Sequence, residues 1–181
     1  MLNVPTLWTA FIINFLALGL IWAYVTRSYP KFAAAPYWTA SAFAAALGAS
    51  LASLRIVVDS LLPLLAGGTV LIIASCLAAM GVRRFYDRPV GWRQTALITG
   101  LGTAGMTFFA FGYDHQPIRM FIYSVAQVLP FALTLKLLLA RENGRVNAGA
   151  RLAATVAILI IAIYGMRVLS NVVQVGGEFS F

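Results

Sequence analysis

Charge is what this chain has least of. Asp and Glu number five and Lys and Arg thirteen, so that charged residues make up 10% of the 181, against 61% hydrophobic. So little polar surface cannot cover a water-soluble domain, and the bilayer must act as solvent for most of the chain. Cysteine occurs once, at Cys76 inside an apolar run, and histidine once, at His115. A lone thiol excludes a disulfide within the chain, and one thiol with one imidazole falls short of the ligand sets that hold zinc or haem. No metal and no cofactor is therefore expected. The few carboxylates are scattered, with no nucleophile, metal or phosphate motif among them, so the chain is expected not to be an enzyme. The net charge of +8 does not point to nucleic acid either, because the basic residues are not gathered on a soluble or aromatic-interleaved segment.

What the sequence does have is apolar runs. A spanning helix needs about 20 mostly apolar residues to cross about 30 Å of hydrocarbon. Six such windows occur, at roughly 7–25, 37–54, 61–80, 95–112, 120–140 and 152–173. Backbone groups in lipid must be satisfied within the segment, and the period-two alternation of a barrel is missing, so the spans are helices. The expected fold is all-α, a single polytopic transmembrane helical bundle over residues 1–181.

The basic residues set its orientation. Arg27 and Lys31 follow the first span, Arg83, Arg84, Arg88 and Arg93 the third, and Arg141, Arg145 and Arg151 the fifth; with Lys136 they place ten of thirteen basic residues on one side. The positive-inside rule makes that side cytoplasmic and puts both termini outside. The start MLNVPTLW has no Lys or Arg before the apolar run, unlike a signal peptide, so the first span is expected to be retained. The tail QVGGEFSF reads as a loop awaiting another helix, which leads us to expect a chain cut from a longer one, the alternative being that the protein ends there.

Ionisable groups within a membrane are functional candidates by default. Arg55, Arg119 and Arg167 fall at similar depth near the outer face. Arg119, Tyr123 and Gln127 share a helical face, as do Arg167 and Asn171, while Asp59 lies four residues after Arg55. Together these seven residues make a candidate outer vestibule for a small anionic ligand or a lipid headgroup, since arginine offers a planar fork for carboxylate or phosphate. The competing reading pairs Arg55 with Asp59 and Arg119 with Asp114, and lets Arg167 reach outward to the headgroups. Pro130 removes a helical donor in the fifth span and marks a kink through which a signal would pass. Lys136 is near enough to its helix end to reach the interface, and His115 in YDHQP reads as a solvated loop residue. In the second span, Ala40, Ala44, Gly48 and Ala52 form a row of small residues beside Ser41, Ala45, Ala49 and Ser53, suited to close helix packing within one chain or across a homodimer.

The basic connector GVRRFYDRP, from Gly81 to Pro89, and the pair Leu54 and Arg55 carry a resemblance. A first helix with its N-terminus outside, an Ala/Gly-rich second helix ending in LR, a third ending in G-x-R-R-F-x-x-R-P and later helices with an outer Arg resemble the N-terminal membrane region of bacterial GGDEF proteins, the diguanylate cyclases. The resemblance extends over essentially the whole chain. It implies a sensory input region in the bacterial inner membrane, followed in that family by a seventh helix and a cytoplasmic cyclase domain. Neither follows within these residues, so this chain cannot itself make cyclic di-GMP; Arg83, Arg84, Arg88 and Arg93 would then face the output domain, against the simpler reading that they set topology, attract anionic lipids and, with Phe85, Tyr86 and Trp92, anchor the interface. The alternative is a small transporter or channel, against which stand the lack of internal repeats and of ionisable residues near the midplane.

Overall fold

A computed structural model describes residues 4–139 and 148–178, with side chains described for 5–139 and 151–170. Arg141 and Arg145 of the third basic connector lie outside the described residues. Helices account for the fold: α1 (Val4–Ser28), α2 (Ala35–Ser53), α3 (Leu62–Phe85), α4 (Trp92–Thr107), α5 (Gln116–Leu138) and α6 (Ala148–Glu178). A short 3-10 turn, Leu54–Ile56, extends α2, and a π-helical turn, Phe108–Gly112, extends α4. Among the described residues, six helices are long and apolar enough to cross a bilayer. The chain is thus an all-α, multi-pass membrane protein whose helices contact lipid, and large apolar side chains such as Leu20, Leu101 and Leu169 are exposed on them.

The helix ends follow local chemistry. Pro36, Pro63 and Pro117 sit in the first turns of α2, α3 and α5, where a missing N–H leaves no helical bond unmade. At its other end α3 runs on through the basic pair Arg83 and Arg84, which the negative end of the helix dipole favours. The turn that stops it is specific. Arg88 N–H donates to the Arg83 carbonyl at 2.9 Å and Asp87 N–H to that of Arg84 at 3.2 Å, with Asp87 left-handed at φ 52°. This is the paired 6→1 and 5→2 closure in which glycine normally takes the left-handed position. A left-handed non-glycine residue costs roughly 1–2 kcal/mol, and glycine returns roughly 0.5–1 kcal/mol of that in backbone entropy. Asp87→Gly is accordingly expected to raise stability by about 0.5–1 kcal/mol, read as a higher melting temperature in detergent. A lower one would show that the Asp87 carboxylate makes a contact of its own.

Two compact units divide the chain, Met1–Thr103 and Ala104–Phe181. In the first, α2 packs against both α1 and α3. Its α3-facing edge is built for close approach: Ser41 Oγ donates to the Ala74 carbonyl at 2.7 Å, and Trp38 Nε1 to that of Ala78 at 3.3 Å. A Cβ added at Gly48 would lie 2.9 Å from the Gly67 carbonyl oxygen. Towards α1, Thr26 and Thr39 share a 3.0 Å hydroxyl bond, and Gly19 lies beneath the Phe43 ring. Lipid removes the hydrophobic drive between helices, so contacts of this kind hold them together. Gly48 and Ala52 of the small-residue row therefore serve packing within the chain. In the second unit α5 packs against α6, and Gly105 lies under Ile122.

Candidate functional site

The second unit gathers polar side chains where α5 begins. Its N-cap is His115, with Pro117 in the first turn, and helical side chains lean back towards the N-terminus. Arg119, in the second turn, is 9% exposed, and its Nη1 lies 3.7 Å from Asp114 Oδ1. That is an ion-pair distance but too long for a hydrogen bond. Among the described residues, Arg119 Nη1 and His115 Nδ1 are both buried with no hydrogen-bond partner, and His115 as a whole is half-buried in the connector before α5. A buried guanidinium nitrogen without a hydrogen bond is costly even with a carboxylate at ion-pair distance, and a cation at the positive end of a helix dipole adds to that cost. An anion within hydrogen-bond reach of Nη1, closer than Asp114, would relieve both.

One turn further in, Gln127 Nε2 donates to the Tyr123 hydroxyl at 2.9 Å. The Tyr123 ring meets that of Tyr164 on α6 edge-on, with centroids 6.5 Å apart. Arg167, one turn beyond Tyr164, is exposed and donates from Nη2 to Met120 Sδ at 2.8 Å. A thioether is a weak acceptor, which leaves most of the Arg167 donors available. Arg119, Tyr123, Gln127 and Arg167 thus stand along the two helices of one unit. Asn171 belongs to α6, but its side chain lies outside the described residues.

Arg55 and Asp59 belong to the first unit, in and just after the 3-10 turn, and both are exposed. Among the described residues the one ion pair within 4.0 Å is Arg119–Asp114, so Arg55 and Asp59 do not pair. Pro130 is buried, and α5 runs unbroken through it. Having no N–H, it leaves the Ala126 carbonyl without its helical donor. Thr134 Oγ1 reaches back to the carbonyls of Pro130 at 3.2 Å and Phe131 at 3.0 Å, a contact that tends to bend helices.

The basic connector has an internal order that the sequence did not reveal. Arg83 donates to the Gln94 side chain and so ties the end of α3 to the start of α4. Arg84, Arg88 and Arg93 are exposed. Beneath them runs a continuous set of rings: Trp22 and Trp38 at 4.6 Å, Trp38 and Phe32 at 5.6 Å, Phe32 and Phe85 at 6.0 Å, Phe85 and Tyr86 at 5.2 Å. The set joins the α1–α2 connector, which carries Lys31, to the α3–α4 connector. Gly81 is what lets the Trp38 indole lie against α3, since a Cβ there would overlap the ring.

Sequence reasoning missed Tyr164 and Met120, although Tyr164 and Arg167 are three apart and therefore on one helical face. It also missed the π-helical turn, where Tyr113 N–H reaches the Phe108 carbonyl at 3.1 Å, a geometry frequent at functional sites that leaves no simple sequence signal. In comparisons with known protein families, curated proteins and solved structures, the chain matches none.

Proposed function

We propose that this chain is a membrane-embedded sensory input region that perceives a small ligand or a membrane signal for a cytoplasmic output domain, of diguanylate cyclase type, encoded beyond these residues. In this reading the chain performs no catalysis of its own and resides in the bacterial inner membrane. The observation that carries it is Arg119, a buried guanidinium at the dipole-positive start of α5 whose Nη1 makes no hydrogen bond among the described residues and meets only the exposed Asp114 carboxylate, at 3.7 Å. Buried polar groups are nearly always satisfied, and intramembrane charges that are not tend to have functional roles. Supporting it, the same helix carries Tyr123, Gln127 and Pro130, so an anion drawn to Arg119 would act on an element whose hydrogen-bond ladder is already interrupted. Signalling further requires that the ligand bind two conformations of α5 with different affinity.

The reading frame beyond Phe181 tests this directly. A seventh apolar span followed by a GGDEF domain is the expected result; a stop codon at that point overturns the reading and favours the transporter. With the longer protein in hand, Arg119→Gln is expected to change cyclic di-GMP output at equal membrane abundance, whereas unchanged output would remove Arg119 from the mechanism.

A further inference from the structure

The first unit presents a cluster of cations at one end that its own carboxylates do not neutralise. Arg27 and Lys31 from the α1–α2 connection, and Arg84, Arg88 and Arg93 from the α3–α4 connection, are all exposed. Asp87 is the one acidic residue in these two connections, and it forms no ion pair within 4.0 Å with any of the five. The dipoles of α1 and α3 favour Arg27 and Arg84 near their C-termini, but Lys31 and Arg88 lie beyond the last helical turns and have no such partner. Orientation in the membrane requires only that basic residues be on one side. It does not require the two connectors to be joined, as the stacked rings of Trp22, Phe32, Trp38 and Phe85 join them. Around this cluster Tyr24, Tyr29, Phe85 and Trp92 expose more than half their surface, as rings placed between headgroups and acyl chains do.

We propose that these two connectors together form a binding site for the phosphate of an anionic phospholipid headgroup, with Lys31, Arg84 and Arg88 as its principal ligands and the exposed rings against the upper acyl chain. Guanidinium groups form paired, charge-assisted bonds to phosphate oxygens. The position of the cluster at the ends of spanning helices favours a lipid over a dissolved anion, because the lipid phosphate is held at that depth.

The tryptophans provide the readout. Trp22, Trp38 and Trp92 lie at this end of the unit, and only Trp8 of the four lies elsewhere. The full chain is placed in phosphatidylcholine nanodiscs, and lipid with brominated acyl chains is titrated in as either phosphatidylglycerol or phosphatidylcholine. Brominated phosphatidylglycerol is expected to quench tryptophan emission with an apparent affinity about fivefold or more above phosphatidylcholine, since each basic residue near an anionic surface is worth about that factor. Arg84→Gln combined with Arg88→Gln should remove most of the preference, leaving at most the factor of about five that Lys31 supplies, and Arg84→Lys with Arg88→Lys should keep most of it. Should the Gln variant not fold, Arg27→Gln with Lys31→Gln makes the same test from the other connector. Equal quenching by the two lipids, or a preference that survives loss of the charges, overturns the proposal. Relief of quenching by millimolar glycerophosphate overturns it too, by showing a site for a soluble phosphate instead.

Discussion

Replacing Gly67 by alanine is expected to destabilise the first unit by about 2–3 kcal/mol, and by valine more, through a clash that no side chain can move to relieve. A Cβ at Gly67 would lie 2.5 Å from the Gly48 carbonyl oxygen, 2.6 Å from the Ala52 nitrogen and 2.8 Å from the Ala52 Cβ. Two of these three are backbone atoms of α2, so relief requires the helices to separate, which would weaken the Ser41 and Trp38 bonds to α3 carbonyls along the same edge. In lipid that separation is not opposed by a hydrophobic drive, and the loss of van der Waals contact and hydrogen bonds falls directly on stability. Gly100 provides the internal comparison. Among the described residues a Cβ there meets nothing within 4 Å, so Gly100→Ala should be neutral or stabilising by up to about 1 kcal/mol through helix propensity. Thermal unfolding of the two variants in one detergent reads the difference. Equal melting temperatures would mean that the α2–α3 approach is looser than 2.5 Å implies.

The six helices were legible because each apolar window is long and lipid admits no other secondary structure at that depth; α1 to α6 enclose or overlap all six. Half of the α2–α3 contact was legible as well. The row through Gly48 and Ala52 could be read from spacing, but not the helix it would face, since small residues suit a neighbouring span and a second copy equally. The answering edge of α3, Gly67, Leu71, Ala74, Ala78 and Gly81 at alternating spacings of four and three, was present in the sequence and went unread because a glycine in an apolar run resembles filler until its neighbour is known. The candidate site divides in the same way. Contacts within one helix follow from the 3.6-residue period, and the Tyr123–Gln127 bond is of that kind. Depth along a span fixes only one coordinate, so the sequence sets Arg55, Arg119 and Arg167 at one level without showing which helices neighbour which. The Arg167 contact with Met120 and the Tyr123 contact with Tyr164 depend on the α5–α6 pairing, which neither charge nor hydropathy encodes.

Trp38→Ala should separate the role of ring stacking from that of charge at the basic end. Trp38 is the hub of that region: its indole lies 4.6 Å from Trp22, 5.6 Å from Phe32 and 6.2 Å from Phe85, donates to the Ala78 carbonyl and occupies the space that Gly81 leaves open. Removing a well-packed tryptophan costs about 3–5 kcal/mol in soluble cores. Trp38 is only half-buried and in the first turn of a spanning helix, so a loss of about 2–4 kcal/mol is expected, with Trp38→Phe recovering the stacking but not the roughly 1 kcal/mol of its N–H bond. The larger consequence is local. Without Trp38 the α1–α2 and α3–α4 connectors retain every basic residue but lose the rings that hold them together, and tryptic cleavage after Arg84 and Arg93 should accelerate well beyond what the fall in melting temperature explains. If lipid preference depends on the joined geometry, it should fall in Trp38→Ala although no charge has changed; if it depends on charge alone, it should persist. Unchanged cleavage with unchanged lipid preference would mean that the connectors are held by the helix ends and the Arg83–Gln94 bond, and that the stacked rings serve only to fill the interface.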